Sequence, residues 1–205
     1  MGWAWLASVL AFATAMSATP GPNNTMLAAS GAIWGLRRTV SHMLGVAIGF
    51  PVMIVAVALG AAGPLRALPW IEEALRWVGA AYLLWLAWRI AMAQPEMDSA
   101  HPEASRRRPF TFLQAAMFQW VNPKAWIIAV NAIITYTSAS RGSLAAQALA
   151  LAGTFLIVTL PTTLFWTSVG VGAAQVLRTP RRLRTFNLVL AGLLVASLLP
   201  LLRGE

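Results

Sequence analysis

Long apolar stretches separated by short polar connections make up almost the whole chain. Six of them are long enough to cross a membrane, at about 3–35, 40–63, 70–92, 110–136, 144–176 and 186–202. A hydrocarbon core of about 30 Å needs about 20 helical residues. The stretches are continuous and rich in Leu and Ala, whereas barrel strands alternate over about 10 residues. The pattern therefore predicts an all-α integral membrane protein with six transmembrane helices.

Proline and glycine interrupt the first and fourth stretches near their middles. We call Thr19-Pro20-Gly21-Pro22-Asn23-Asn24 the first break and Asn122-Pro123-Lys124 the second break. Proline lacks the N–H of the helical ladder, and glycine tolerates backbone angles that other residues avoid. Each stretch has about 33 residues and as one helix would measure about 50 Å, longer than the hydrocarbon core. Helices 1 and 4 are predicted to be interrupted, with a simple proline kink as the alternative.

Composition supports a membrane protein. The 205 residues are 59% hydrophobic and 10% charged, against about 25% charged in soluble domains. The net charge of +9 comes from Lys and Arg in short connections, so topology explains it better than nucleic acid does. The absence of cysteine excludes disulfides and thiolate sites. The N-terminal run has no preceding Lys or Arg and continues beyond Asn24, so we expect a retained first span rather than a signal peptide.

Arginine counts predict the orientation. The connections on one side of six spans carry ten arginines, and those on the other side carry four. By the positive-inside rule the first set is cytoplasmic, so both termini are expected outside. The proline-containing loop 94–109, with Arg106, Arg107 and Arg108, belongs to the cytoplasmic set. It would link repeat 1, about 1–93, to repeat 2, about 110–205, within one transmembrane domain.

The two halves of the chain share features that predict an inverted repeat. Three spans per half means that the halves enter the membrane from opposite sides. Each half has a break in its first span and a proline in its second, Pro51 and Pro161; each third span has a central glycine, Gly79 and Gly192. Paired interrupted helices in inverted halves point to the midplane binding site of a transporter.

The residues of the two breaks are the candidate substrate site: Pro20, Gly21, Pro22, Asn23, Asn24, Asn122, Pro123 and Lys124. A broken helix offers N–H groups to an anion and carbonyls to a cation, and an amino acid needs both. The asparagines could instead satisfy backbone groups freed by the prolines. A lysine inside a span must pair or face water, so Lys124 is expected near the substrate carboxylate or stabilising the second break, unless it snorkels to an interface.

Other polar residues have less defined roles. His42 is a candidate for proton coupling because imidazole titrates near physiological pH, but it follows Arg38 by four residues and could lie at the surface. Glu73, near the outer end of span 3, is the second coupling candidate. Gln114 and Gln119 are expected to form hydrogen bonds between helices.

Three motifs carry a family resemblance: Ala18-Thr19-Pro20-Gly21-Pro22-Asn23, Gly79-Ala80-Ala81-Tyr82-Leu83 and Phe118-Gln119-Trp120-Val121-Asn122-Pro123-Lys124-Ala125. With Gly31, Gly35, Gly45 and Gly49, they make the chain similar to the lysine-exporter (LysE/RhtB-type) superfamily, most of all its homoserine, threonine and leucine efflux branch. The resemblance implies an inner-membrane exporter of amino acids or their derivatives, working by proton antiport with alternating access. It also implies that both breaks bind substrate. The four glycines form small-xxx-small pairs typical of closely packed helices.

Two other functions compete with this hypothesis. A membrane-embedded enzyme would need a nucleophile with its base, paired carboxylates or a metal cluster within the spans. A metal-ion exporter of the same superfamily would need carboxylate, His or thiolate ligands. The spans offer neither set, so we expect no catalysis and no cofactor. The expected partners are an amino-acid substrate, protons and the lipid bilayer, and a homodimer is left open.

Overall fold

The computed structural model describes residues 2–61, 69–92, 108–138, 140, 142–176 and 179–198. These residues form α-helices and no strand: α1 Trp3–Ala18, α2 Pro22–Ala56, α3 Pro69–Ala91, α4 Phe112–Val121, α5 Pro123–Tyr136, α6 Leu144–Val176 and α7 Pro180–Ala196. A π-helical turn, Val57–Ala61, follows α2. The predicted all-α class is confirmed.

Two helical segments are long and apolar enough to cross a membrane, Pro22–Gly60 and Leu144–Val176. Three shorter apolar helices accompany them, Trp3–Ala18, Trp77–Ala91 and Arg184–Ala196. Large apolar side chains such as Val52, Trp88 and Ile157 are more than half exposed. Apolar surface of this extent is typical of a face that contacts lipid or a partner. The count of six spans goes beyond these helices and stays a prediction.

A bend at Gly35 divides α2 into an N-terminal segment, 22–34, and a C-terminal segment, 36–56. The backbone of Gly35 has φ 73° and ψ 174°, a conformation that is essentially restricted to glycine. A Cβ atom on Gly35 would meet no atom within 4 Å. The expected packing role of Gly35 is therefore wrong, and the residue instead makes the bend between the first two predicted spans.

The N-terminal segment of α2 packs closely against α6, and α2 and α6 make the most extensive helix pair. A Cβ atom on Gly31 would collide with the carbonyl oxygen of Thr167, and one on Gly170 would collide with the carbonyl oxygen of Ala28. Both helices thus contribute a glycine where the backbones meet. This contact confirms the predicted packing role of Gly31.

The C-terminal segment of α2 packs in the same way against α4. A Cβ atom on Gly45 would meet the carbonyl oxygen of Phe112, and one on Gly49 would lie 2.6 Å from the Cα atom of Ala116. The predicted packing roles of Gly45 and Gly49 are confirmed.

At the start of α4, Gln114 exchanges capping hydrogen bonds of 3.1 and 3.2 Å with Thr111. Its expected role between helices is therefore wrong.

Two apolar clusters lie on either side of the helix interruptions. The first joins α1, the C-terminal segment of α2, α5 and α6, and Phe50 and Phe155 meet there with ring centroids 5.3 Å apart. The second joins the N-terminal segment of α2, α3, α4 and α7. The first break connects α1, in the first cluster, to the N-terminal segment of α2, in the second. The second break connects α4, in the second cluster, to α5, in the first. Both breaks therefore lie between the two clusters.

Several topological predictions concern residues that the structure does not describe. Loop 94–109 is described only at Arg108 and Pro109, and Arg66, Arg141, Arg178 and Arg203 lie outside the described residues. All seven arginine side chains that the structure describes are exposed: Arg37, Arg38, Arg89, Arg108, Arg181, Arg182 and Arg184.

Candidate functional site

The first break separates α1 from α2. Helix α1 ends at Ala18, and Thr19 is extended, with φ −63° and ψ 140°. Pro22 occupies the first turn of α2, where its missing N–H costs no hydrogen bond. The buried Asn24 donates from Nδ2 to the carbonyl oxygens of Ser17, at 2.7 Å, and Thr19, at 2.8 Å. Asn24 therefore satisfies carbonyls that the end of α1 leaves without a helical donor.

The second break separates α4 from α5 at a single residue. Asn122 is non-helical, with φ −86° and ψ 109°, and Pro123 begins α5. The Oδ1 atom of Asn122 accepts a hydrogen bond of 3.1 Å from the backbone N–H of Lys124, and Asn122 is buried. Asn122 is thus the N-cap of α5. In both breaks an asparagine satisfies backbone groups, one of the two roles that the sequence left open.

Lys124 joins the two breaks. Its Nζ atom donates to the carbonyl oxygen of Thr19 at 2.9 Å, to Oγ1 of Thr19 at 2.7 Å and to the carbonyl oxygen of Pro20 at 3.3 Å. A cation at the carboxyl end of a helix interacts favourably with the helix dipole. The Lys124 side chain passes so close to Gly21 that a Cβ atom there would lie 2.8 Å from Cδ of Lys124. Glycine at position 21 therefore leaves room for the lysine.

A second contact between the halves involves Asn23. Its Nδ2 atom donates to Oε1 of Gln119 at 2.8 Å, and Nε2 of Gln119 donates back to Oδ1 of Asn23 at 3.2 Å. Gln119 also donates to the carbonyl oxygen of Ala115 at 2.9 Å. The prediction that Gln119 bonds between helices is confirmed. Asn23 meets the protein through both ends of its amide, so the two breaks are connected at two points.

A cavity of about 50 Å³ lies between the breaks. Its lining comes from α1, both breaks, α2, α5 and α6: Met16, Ser17, Gly21, Asn23, Asn24, Val46, Phe50, Asn122, Lys124, Ala125, Ile128, Thr159, Thr162 and Thr163. Five of the eight predicted site residues are in this set. Pro20, Pro22 and Pro123 are not, because Pro22 and Pro123 begin helices and Pro20 contributes its carbonyl to Lys124.

Sequence reasoning missed nine of the fourteen lining residues, and the polar ones among them are Ser17 and the three threonines of α6. Thr159, Thr162 and Thr163 surround Pro161, which the sequence identified only as a probable kink. The available signal was the density of hydroxyl groups around a proline in an apolar stretch. Hydroxyls near a helical proline often bond to backbone carbonyls, so this signal alone does not distinguish a binding wall from local helix repair.

The two candidates for proton coupling lie outside the cavity lining. His42 is only 1% exposed, so the surface position considered for it is wrong. Its Nδ1 atom lies 3.1 Å from Oγ of Ser30, and its ring stacks at a tilt on Phe110, with centroids 5.3 Å apart. Its Nε2 atom is buried and has no hydrogen-bond partner among the described residues. Glu73 is exposed on α3.

A profile of the LysE type translocator family matches residues 14–202. The chain belongs to this family. The predicted superfamily is thereby confirmed, and the match includes both breaks, all of α2 to α7 and the α6 threonines. Membership of a translocator family agrees with the all-helical fold and its exposed apolar side chains.

Relatives of this LysE-family chain are named as cysteine/O-acetylserine efflux proteins. The one from Salmonella choleraesuis is 35% identical over 119 residues, 58% of each chain. Those from Klebsiella pneumoniae and Escherichia coli O9:H4 are 30% identical over 131 residues and 32% over 119 residues, covering 64% and 58% of each chain. The chain thus spans less than two thirds of these relatives' length. No solved structure matches it.

Proposed function

We propose that this LysE-family chain is a secondary active transporter that exports amino acids or their derivatives across the inner membrane. The observation that carries the proposal is the Lys124 ammonium, which comes from the second break and lies at the carboxyl end of α1 beside the cavity. The relatives named as efflux proteins also support export of the substrate. A site with a fixed cation, a helix amino end and helix carbonyls suits a ligand that carries both a carboxylate and an ammonium.

The substrate carboxylate would bind between Lys124 and the amino end of α2. No side chain caps that helix end, Pro22 has no N–H, and the N–H of Thr25 donates to Gly21, so the backbone N–H groups of Asn23 and Asn24 are the ones available to an anion. The substrate ammonium would bind at the carboxyl end of α1. The carbonyl oxygen of Thr19 already accepts two hydrogen bonds, from Asn24 and Lys124, whereas those of Ser17 and Pro20 accept one each and can accept a second. In this arrangement Asn23, Asn24 and Asn122 orient the helix ends and add amide contacts, while Pro20, Pro22 and Pro123 keep the helices interrupted.

Transport would proceed by rocking of two inverted three-helix repeats, about 1–93 and 110–205, around the paired breaks. Reciprocal packing supports this arrangement. The C-terminal segment of α2, the second span of the first half, packs on α4, and α6, the second span of the other half, packs on the N-terminal segment of α2. Glycines make the close approach in both pairs. Each second span thus packs on the interrupted first span of the other half.

Transport of a panel of amino acids tests the proposal. Purified protein in proteoliposomes is given a proton gradient and supplied from outside, in turn, with radiolabelled neutral, basic and hydroxylated or thiol-containing amino acids. At least one substrate should accumulate against its gradient and exchange with unlabelled substrate. If no amino acid accumulates or exchanges while the protein is folded and inserted, the proposed function is wrong.

Cysteine labelling tests the orientation. The native sequence contains no cysteine, so a single introduced thiol gives the whole signal. In intact cells, Ala100→Cys should resist a membrane-impermeant maleimide and Gly2→Cys should react, because the basic loops are proposed to face the cytoplasm. Both should react after permeabilisation. Labelling of Ala100→Cys from outside would show that the protein has the opposite orientation in the membrane.

His42→Gln tests the proton coupling that belongs to this proposal. His42 is preferred over Glu73 because His42 is buried between helices and Glu73 is exposed. Glutamine keeps a polar side chain near Ser30 but cannot carry a proton. Accumulation driven by the proton gradient should be lost, because glutamine cannot take up and release the coupled proton. Exchange of substrate without a gradient should continue.

Glu73→Gln is the matched control for His42→Gln. It removes the other candidate's charge from an exposed position, and gradient-driven accumulation should stay near the wild-type value. Equal accumulation by wild type and His42→Gln would remove His42 from the coupling. Loss of coupling in Glu73→Gln instead would transfer the role to that carboxylate.

A further inference from the structure

Thr159 differs from every other threonine of α6. The helix contains five, Thr154, Thr159, Thr162, Thr163 and Thr167. Four of them donate from Oγ1 to a carbonyl of the preceding turn, at distances of 2.8 to 2.9 Å. The Oγ1 atom of Thr159 is buried and has no partner among the described residues. Only 6% of Thr159 is exposed.

A buried hydroxyl without a partner is costly, because it loses its hydrogen bonds to water and gains none from the protein. A valine of nearly the same shape would avoid this cost. Thr159 also lines the cavity between the two breaks. Rotation about its Cα–Cβ bond by about 120° moves the hydroxyl to the place of the methyl group or of the Cβ hydrogen. By this change of rotamer the hydroxyl would reach a ligand in that cavity.

The lining residues that α2 and α5 contribute away from the breaks are apolar. Val46 and Phe50 come from α2, and Ala125 and Ile128 come from α5. The other two α6 threonines of the lining already donate their hydroxyl protons within the helix: Thr162 to the carbonyl oxygen of Val158, and Thr163 to that of Leu160. Among these three hydroxyls, only that of Thr159 has a proton left to donate to a substrate side chain.

We infer that Thr159 is a specificity-determining residue that hydrogen-bonds the side chain of a short, hydroxyl- or thiol-bearing amino acid. This inference rests on the proposed function, since it assumes that the breaks hold the charged groups of the same substrate. The small cavity favours a short side chain, because about 50 Å³ holds only a few water-sized groups. An apolar analogue of equal size would gain no hydrogen bond from the Thr159 hydroxyl, so it should bind less tightly than the hydroxyl-bearing substrate by the free energy of that one bond.

Isosteric substrate pairs test the inference in proteoliposomes. The measured quantity is the ratio of exchange rates for threonine and valine, and for serine and alanine, in wild type and in Thr159→Val. The variant should lower both ratios about three- to tenfold, the effect of one neutral hydrogen bond. Thr159→Ser retains the hydroxyl and should retain the ratios. Thr154→Val removes an equally buried hydroxyl that does not line the cavity, and it should leave the ratios unchanged.

Thermal stability in detergent provides the second measurement. Because Thr159→Val removes an unsatisfied buried hydroxyl, its melting temperature should equal or exceed that of wild type, whereas Thr154→Val loses a bonded hydroxyl and should melt lower. If wild type exchanges no amino acid, the proposed function fails. If wild type exchanges amino acids but Thr159→Val leaves both ratios unchanged, or slows both members of each pair equally, the inference on Thr159 is wrong.

Discussion

Lys124→Met is expected to reduce amino-acid transport about 10- to 100-fold or more while the protein still inserts into the membrane. Methionine keeps the length and apolar stem of lysine but removes the ammonium. That ammonium donates to Thr19 and Pro20 at the end of α1 and, in the proposed function, binds the substrate carboxylate. A 10- to 100-fold lower transport rate is about what the loss of one charge-assisted hydrogen bond to the substrate should cause. Initial rates of exchange in proteoliposomes, normalised to inserted protein, measure the effect.

Lys124→Arg distinguishes charge from geometry. Arginine keeps the positive charge, but its planar guanidinium differs from the compact ammonium that fits beside Gly21. We expect it to transport more than Lys124→Met and less than wild type. If Lys124→Met exchanges amino acids at the wild-type rate, Lys124 is not part of the substrate site.

Thermal shifts separate two roles of Lys124. If Lys124 only joins the breaks, Lys124→Met should melt lower than wild type, yet a transported amino acid should raise the melting temperature of both equally. If Lys124 binds the carboxylate, the ligand-induced rise should be lost in the variant. The linkage between binding and stability makes this rise a direct measure of affinity.

The sequence was informative where one local rule decides the structure. Proline at positions 22 and 123 suits the first turn of a helix, and α2 and α5 begin there. Pro51 and Pro161 lie inside helices instead, so it is the neighbouring glycine and asparagines that mark positions 22 and 123 as breaks. Lys124 was singled out because a charge in an apolar stretch requires a partner. The partner lies 105 residues away in the chain, at Thr19. Only the assembled helices could identify it.

Burial and packing were harder to predict from the sequence, because they depend on which helix faces meet. His42 has a polar side chain four residues after an arginine, which is typical of a surface position, but it is buried against Ser30 and Phe110. Gly35 belonged by spacing to a packing motif, but its backbone conformation makes it a bend. The sequence shows that α6 contains several threonines, but it does not show which hydroxyls donate to a carbonyl of their own helix and which, like that of Thr159, have no partner.

Among the three glycines of α6, Gly153, Gly170 and Gly172, replacement by alanine is expected to destabilise the protein most at Gly170. The added Cβ atom would collide with the carbonyl oxygen of Ala28 and lie 2.9 Å from the backbone nitrogen of Ala32. Backbone atoms cannot rotate away as a side chain can, so α2 and α6 must move apart. Overpacking of this kind costs about 1 to 3 kcal/mol. The melting temperature in detergent should fall, and transport should fall with it because both helices line the cavity.

Gly172→Ala is the matched control, two residues further along the same helix. A Cβ atom on Gly172 would meet nothing within 4 Å, and alanine favours a helix interior over glycine by about 1 kcal/mol. Gly172→Ala should therefore melt at or above the wild-type temperature. Gly31→Ala should behave like Gly170→Ala, since its Cβ atom would collide with the carbonyl oxygen of Thr167 across the same interface.

Combining the two substitutions tests whether they act on one contact. Gly31→Ala and Gly170→Ala each separate α2 from α6, so the second substitution enters an interface that the first has already widened. The loss of stability in the double variant should be smaller than the sum of the single losses, as expected for neighbouring sites that share a structural shift. Additive losses would indicate two independent contacts. Equal melting temperatures for Gly170→Ala and Gly172→Ala would contradict the close approach of α2 and α6, and with it the reciprocal packing that supports the inverted repeat.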